Sequence, residues 1–316
     1  MRDLPQLDSQ AFICTIDSPR YNLPMNLSKR TQRRLIVYPT ILIVLLIGGC
    51  VFDISGRLEA RMAYYPSREE FITPRGYVDV SIPTPDGLQL HGWFIPAVGR
   101  KRGDPPGPAV LHVHGNAGNI ESHVDFSAFL PMHGISVLIF DYRAYGRSDP
   151  ARRRLNRDDL LIDTLAALEY LRMHPDVDPD RIGIYGFSLG GVFGLAAAAE
   201  ELGVRSVCCV AVFSSWKRIA REHVGAIGGW LARRGADADT NVVAMGRRPL
   251  LLIHGGQDDI VPVEHSRDLA DVASAAGVPV ELVIIPEADH NDIIFIDTTA
   301  KDAIIEFFRR TLLGGL

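Results

Sequence analysis

The 316-residue sequence has only four cysteines, Cys14, Cys50, Cys208 and Cys209, too few and too scattered for a disulfide framework. Its charges nearly cancel, since 33 lysines and arginines face 38 acidic residues and leave a net charge of −5. That balance excludes the broad basic surface on which nucleic-acid binding depends, so no nucleic-acid partner is expected. There is no internal repeat and no low-complexity tract, which removes repeat arrays and disordered scaffolds from consideration. What is present is ample apolar material, 47% of the residues, enough for a sizeable core. The length suits one large α/β domain or two small ones.

The N-terminus departs from this even composition. Leu35 to Phe52 is an almost uncharged apolar run, preceded by Lys29, Arg30, Arg33 and Arg34. Its length is marginal for a spanning helix, and Pro39 is tolerable near its start. The basic flank favours retention of that end in the cytoplasm, with the remainder on the extracytoplasmic side. A second reading fits the same run. Leu46-Ile47-Gly48-Gly49-Cys50 resembles the lipobox of bacterial lipoprotein signals, with Cys50 lipidated after cleavage and Met25 as the true start. The expected organisation is a leader over 1–34, cytoplasmic or removed, an anchor or signal segment over 35–52, and a folded domain over 53–316. Either reading tethers that domain to a membrane.

Beyond the run, Tyr77 to Ile82 and Leu88 to Ile95 alternate as strands around a Pro85-Asp86-Gly87 turn. Short apolar runs then recur at Val110–His114, Val137–Asp141, Ile182–Phe187, Val207–Phe213, Leu250–His254 and Val280–Ile285. Runs of this kind suit strands buried on both faces of a parallel sheet. Cys208 and Cys209 lie in one of them, where neighbours point to opposite faces, so they read as small buried hydrophobes. Between the runs, Leu161, Leu165, Leu168 and Leu171 form one helical stripe, and Leu269, Val272 and Ala276 another. Ile304 and Phe308 mark a C-terminal helix. The pattern predicts an α/β fold, a mostly parallel sheet of about eight strands with helices on both faces. Its active site is expected beyond the carboxyl ends of the strands.

One octet carries most of the chemistry. Ile184-Tyr185-Gly186-Phe187-Ser188-Leu189-Gly190-Gly191 contains Gly-x-Ser-x-Gly, the pattern of a nucleophile elbow between a strand and a helix. Gly186 and Gly190 remove the Cβ atoms that would clash around a strained serine. A serine needs a base, and among ten histidines His290 is the candidate, in the loop after the last strand. His254 reads as a structural strand-end residue, and His123, His133, His174, His223 and His265 as surface or capping residues. The orienting carboxylate is expected at Asp258, with Asp259 as a solvated neighbour or helix cap. Backbone amides of Leu189 and Asn116 are the expected oxyanion donors, Asn116 following the tight His114-Gly115 turn. His112 and His114 share one strand face, which raises metal binding as a rival, but no third ligand lies nearby. No metal and no cofactor are therefore expected.

The order Ser188, Asp258, His290 resembles that of the α/β-hydrolase superfamily. The matching segments are His114–Asn119, Asp141–Ser148, Gly186–Gly191, His254–Pro262 and Asp289–Asp292, which span roughly residues 75–314. Within the superfamily the chain resembles membrane-associated serine hydrolases that include lysophospholipases, monoacylglycerol lipases and protein depalmitoylases. The resemblance implies hydrolysis of carboxylic esters or thioesters of small-molecule or lipid acyl groups through an acyl-enzyme. A serine peptidase or amidase of the same fold is the alternative, and a non-catalytic membrane-bound binding protein a further one. Two departures from the family pattern stand out. Ala144 replaces a customary glycine, and Asp289 places a negative charge before His290 that is expected to favour the protonated imidazole. Residues 214–247 occupy the customary place of a cap. Trp216, Ile219, Ile227, Trp230 and Leu231 supply its apolar surface, and Lys217, Arg218, Arg221, Arg233 and Arg234 its charge. Such a cap suits an acyl chain or an anionic lipid surface, as well as an ordinary lid. Acyl length, leaving group and oligomeric state are left open by the sequence.

Overall fold

A computed structural model describes residues 51, 53–101, 103–233 and 235–314. The leader, both possible starts, Cys14, Cys50 and the apolar run apart from Val51 lie outside the described residues. Among those described, no helix is long and apolar enough to cross a membrane.

Helix α1 covers residues 53–63 and leads into the two-residue strand β1 (Tyr65–Pro66). A hairpin of β2 (Val78–Pro83) and β3 (Gln89–Ile95) follows. Then come β4 (Gly107–Val113), β5 (Ala117–Gly118), α2 (Ile120–His123) and β6 (Ser136–Phe140). The chain continues through α3 (Arg157–Arg172), β7 (Val177–Phe187), α4 (Leu189–Glu200) and β8 (Val204–Val210). Three short helices, α5 (Trp216–Val224), α6 (Ala226–Leu231) and α7 (Ala238–Ala244), lie within residues 214–247, the segment expected as a cap. The fold closes with β9 (Leu250–Gly255), α8 (Glu264–Ala275), β10 (Val280–Ile285) and α9 (Thr299–Phe308).

Eight strands make one sheet in the order β10-β9-β8-β7-β4-β6-β3-β2, while β1 and β5 pair separately. From β10 to β6 all neighbours are parallel, and β3 and β2 run antiparallel at one edge. Side chains alternate between two apolar cores because successive residues of a strand face opposite ways. Leu111, Leu138 and Cys209 enter one core, with Val192 and Leu195 of α4. Val110, Val137 and Cys208 enter the other, with Ile304 and Phe308 of α9. Both cysteines are buried free thiols, as the strand pattern predicts.

Two expectations shift. The strand expected at 207–213 ends at Val210, because Ala211 takes a left-handed backbone at φ 54° that an extended strand cannot accommodate. The buried face of α3 centres on Leu160, Thr164, Ala167, Leu168 and Leu171, leaving Leu161 and Leu165 half-buried. Asp163 causes this rotation. Its carboxylate accepts from the buried Arg143 guanidinium at 2.7 Å, and that guanidinium also reaches Asp86 of the hairpin turn at 2.7 Å. Burial raises the Asp163 pKa to about 6 even though Arg143 pulls it down.

Candidate active site

Strand β7 ends at Phe187, and Ser188 starts α4 with φ 53° and ψ −118°, a strained conformation for a residue with a side chain. A Cβ at position 190 would lie 1.9 Å from the Val113 carbonyl oxygen, and one at 186 would lie 2.5 Å from the Gly191 Cα. Helix and strands therefore approach closely enough only with glycine at both places.

The strand ends bring three side chains together at this turn. Ser188 Oγ–H donates to His290 Nε2 at 3.1 Å, and His290 Nδ1–H donates to Asp258 Oδ2 at 2.7 Å. Both neighbours of the imidazole are thus engaged, which fixes its ring. Asp258 is itself held: its Oδ1 accepts the amides of Ile260 at 3.0 Å and Val261 at 2.7 Å. Burial alone would push the Asp258 pKa up, but hydrogen bonds from His254 and His290, the imidazole charge and the Val261 amide outweigh it. Together they hold the carboxyl well below its usual range. Asp259 is exposed, as expected. The Asp289 carboxylate turns onto the amides of Asn291 at 2.7 Å and Asp292 at 3.0 Å, while the His290 ring is engaged by Asp258 and Ser188.

His254 does more than end its strand. It is fully buried, with Nε2 3.2 Å from Asp258 Oδ2 and 2.7 Å from the Val261 carbonyl. Both are acceptors, so Nε2 carries a proton, and the Ser266 hydroxyl donates to Nδ1 at 2.6 Å. One carboxylate oxygen thus serves two imidazoles. The adjacency of His254 and Asp258 is visible in the sequence, but the loop that folds Asp258 back onto the ring is not.

Two other histidines, expected as surface or capping residues, are buried. His265 is fully buried, accepting the Ser214 amide at 2.9 Å through Nδ1 and donating to Glu222 at 2.7 Å, so it ties α5 to α8. His123 is buried against the loop over 114–118 and donates to the Ala117 carbonyl at 2.8 Å. Each has a partner that only the tertiary fold provides. His112 and His114 are committed elsewhere, to Ser127 at 2.7 Å and to the Gly115 carbonyl at 2.8 Å. Burial pushes both imidazoles well below their usual pKa. Among the described residues no three His, Cys, Asp or Glu side chains gather as metal ligands.

Ser188 lies on the wall of a cavity of about 350 Å³ that Asn116 and Leu189 also line. Its sides are largely apolar: Trp216 and Ile219 of α5, Leu231 of α6, and Leu58, Met62 and Ala63 of α1. Three of the predicted cap residues therefore face this cavity. Ile227 and Trp230 instead face solvent, 71% and 73% exposed, and Arg234 lies outside the described residues. The contribution of α1 was missed, since its residues carry no motif.

A family model described as the prolyl oligopeptidase family matches residues 128–312, a stretch that contains Ser188, Asp258 and His290. The protein YfhR of Salmonella typhi is 32% identical over 292 residues, covering 87% of this chain and 96% of the relative. Among solved structures, the Pyrococcus furiosus esterase Pf2001 superposes with a TM-score of 0.67 at 22% identity, covering 80% of this chain and 99% of that one. The acylaminoacyl peptidase of Pyrococcus horikoshii superposes at 0.61 with 21% identity, covering 75% of this chain and 41% of the peptidase. At these identities the superpositions speak for an α/β-hydrolase fold alone.

Proposed function

The chain belongs to the prolyl oligopeptidase family of α/β-hydrolases, and from that premise we propose that it is a membrane-tethered serine hydrolase of acyl esters or thioesters. The observation that carries this reading is the hydrogen-bonded series Ser188–His290–Asp258 opening onto an apolar cavity. Ser188 Oγ attacks the acyl carbonyl carbon while His290 Nε2 takes the hydroxyl proton. The amides of Asn116 and Leu189 hold the negative oxygen of the tetrahedral intermediate. Protonated His290 then gives its proton to the leaving oxygen or sulfur, and a water, deprotonated in turn by His290, releases the acid and restores Ser188. The cycle calls for no cofactor.

The lipid-facing part of the proposal rests on the apolar run over 35–52 and on the cavity rim. Met62, Tyr65, Val224 and Ile260 line the cavity and are exposed, and Ile227 and Trp230 project nearby on α6. Tethering through that run puts the hydrolase on the extracytoplasmic side, as a retained helix or through lipidated Cys50. Metabolic labelling with a palmitate analogue separates the two, since only the lipoprotein loses label on Cys50→Ala.

A fluorophosphonate probe is expected to label wild type at Ser188 and to spare Ser188→Ala. Wild-type protein that resists the probe and hydrolyses no p-nitrophenyl ester overturns the reading. A peptidase or amidase is the second reading, favoured by the family's description and the likeness to an acylaminoacyl peptidase. It wins if aminoacyl amides are cleaved faster than esters. A Ser188→Ala chain that keeps full biological activity would point instead to a binding protein.

A further inference from the structure

The segment that joins the apolar run to the sheet is built into the site in two ways. Helix α1 forms one wall of the cavity with Leu58, Glu59, Met62 and Ala63. Immediately after it, β1 pairs in parallel with β5, placing Tyr65 against Ala117 and Pro66 against Gly118. The Tyr65 amide donates to the Asn116 carbonyl at 2.9 Å, and the Ser67 amide donates to the Gly118 carbonyl at 2.9 Å.

These bonds complete a set. Along the loop over 114–118, Tyr142 donates to the carbonyl of His114 and His114 Nδ1 to that of Gly115. Tyr145 and the Tyr65 amide donate to that of Asn116, His123 to that of Ala117 and the Ser67 amide to that of Gly118. In a trans peptide the C=O of one residue and the N–H of the next lie in one plane. The Gly115 carbonyl held by His114 therefore sets the Asn116 N–H, and the Asn116 carbonyl held by Tyr145 and Tyr65 fixes the chain on the other side of the Asn116 Cα. The loop is thereby pinned on both sides of Asn116, and two of its donors, the Tyr65 and Ser67 amides, belong to the segment after α1.

A guanidinium on α3 anchors the wall. Arg157 of α3 grips Glu59 of α1 with two bonds at 3.0 and 2.8 Å. It also donates to the Arg233 carbonyl at 2.7 Å and lies 4.0 Å over the Trp216 ring. Bidentate pairs of this kind are geometrically specific as well as strong.

We propose that residues 53–67 are an active-site element: α1 sets the acyl length accepted beside Ser188, and β1 positions the oxyanion loop. The proposal rests on the esterase reading above and adds to it the residues that select a medium or long acyl chain. The family model's match begins at residue 128, so this element lies outside the matched region.

The test uses the full chain in detergent with p-nitrophenyl butyrate and decanoate. Leu58→Trp fills the cavity and is expected to lower the decanoate-to-butyrate ratio of kcat/KM about tenfold or more, a size set by what one pocket contact discriminates. Leu58→Ala is expected to move the ratio the other way. Tyr65→Pro removes the amide that holds the Asn116 carbonyl. Its kcat per serine titrated with fluorophosphonate should fall about tenfold, by displacement of the loop that carries the Asn116 oxyanion donor. A purely structural role would lower the titratable fraction and leave kcat per titrated serine unaltered. Unmoved ratios in both Leu58 variants, or an unaltered kcat per site in Tyr65→Pro, overturn the corresponding half. A wild type with no esterase activity and no labelling fails the esterase reading itself, a result distinct from either.

Discussion

The floor and the walls of the cavity are made by different rules. The floor is polar and assembled from loops at strand ends, where each group has a named partner: Ser188 with His290, His290 with Asp258, Asp258 with His254 and two amides. The walls are apolar helices, α1 and the cap, whose side chains interchange by size and shape. Chemistry at the floor demands particular residue types, whereas the walls demand only volume and hydrophobicity. Substitutions in the floor should therefore act on kcat, and those in the walls on the choice of substrate.

The sharpest break of that comparison is at the nucleophile. Ser188→Ala is expected to lower kcat/KM by about 10⁴-fold or more, checked by ester hydrolysis with protein free of wild type. A smaller loss would transfer the chemistry away from the floor. Next comes His254. Phenylalanine there removes a hydrogen bond to an ionised carboxylate, worth roughly 1.5–3 kcal/mol, so kcat should fall about 10- to 100-fold with KM nearly constant. Glutamine, which retains a donor, should recover much of it. A fall in KM-dependent selectivity instead would make His254 a wall residue.

Acid stability probes the same carboxylate. The Asp258 pKa is held below its unfolded value, so its contribution to stability is fully present above about pH 4. That contribution is lost as the pH falls further toward the folded-state value. The difference in Tm between wild type and Asp258→Asn should thus shrink between pH 6 and pH 3. The smallest expected effect lies outside both floor and walls. Ala144 sits at φ 70°, a conformation that glycine adopts without strain. Ala144→Gly should gain roughly 0.5–1 kcal/mol, or about 1–3 °C in Tm, with activity unchanged. An unchanged or lower Tm would mean that the surrounding loop already compensates the strain.

The same contrast governs how much could be read in advance. The eight-strand sheet was legible because buried parallel strands are short continuous apolar runs, and the hairpin because its residues alternate. Gly186, Ser188, Gly190, Asp258 and His290 were legible because backbone strain and proton transfer tolerate few residue types. The lining by Leu58 and Met62 was not, since any apolar helix has the same pattern whatever it faces. The burial of His265 and His123, expected as surface or capping residues, was not legible because their partners, Glu222, Ser214 and the Ala117 carbonyl, lie on elements brought near only by folding. The rotation of α3 was hidden likewise, as Asp163 faces inward only because Arg143 waits there.

Arg157 joins α1, α3 and the cap through Glu59, Trp216 and the carbonyls of Arg233 and Gly235. A joint shared in this way makes partial release unfavourable, because freeing either wall leaves a buried charge short of partners. The two walls should then open as one cooperative unit. In native-state hydrogen exchange the amides of residues 53–63 and of α5 and α6 would share an opening free energy, below that of the central strands. Admission of a bulky substrate would be a concerted breathing of both walls over a floor that stays still.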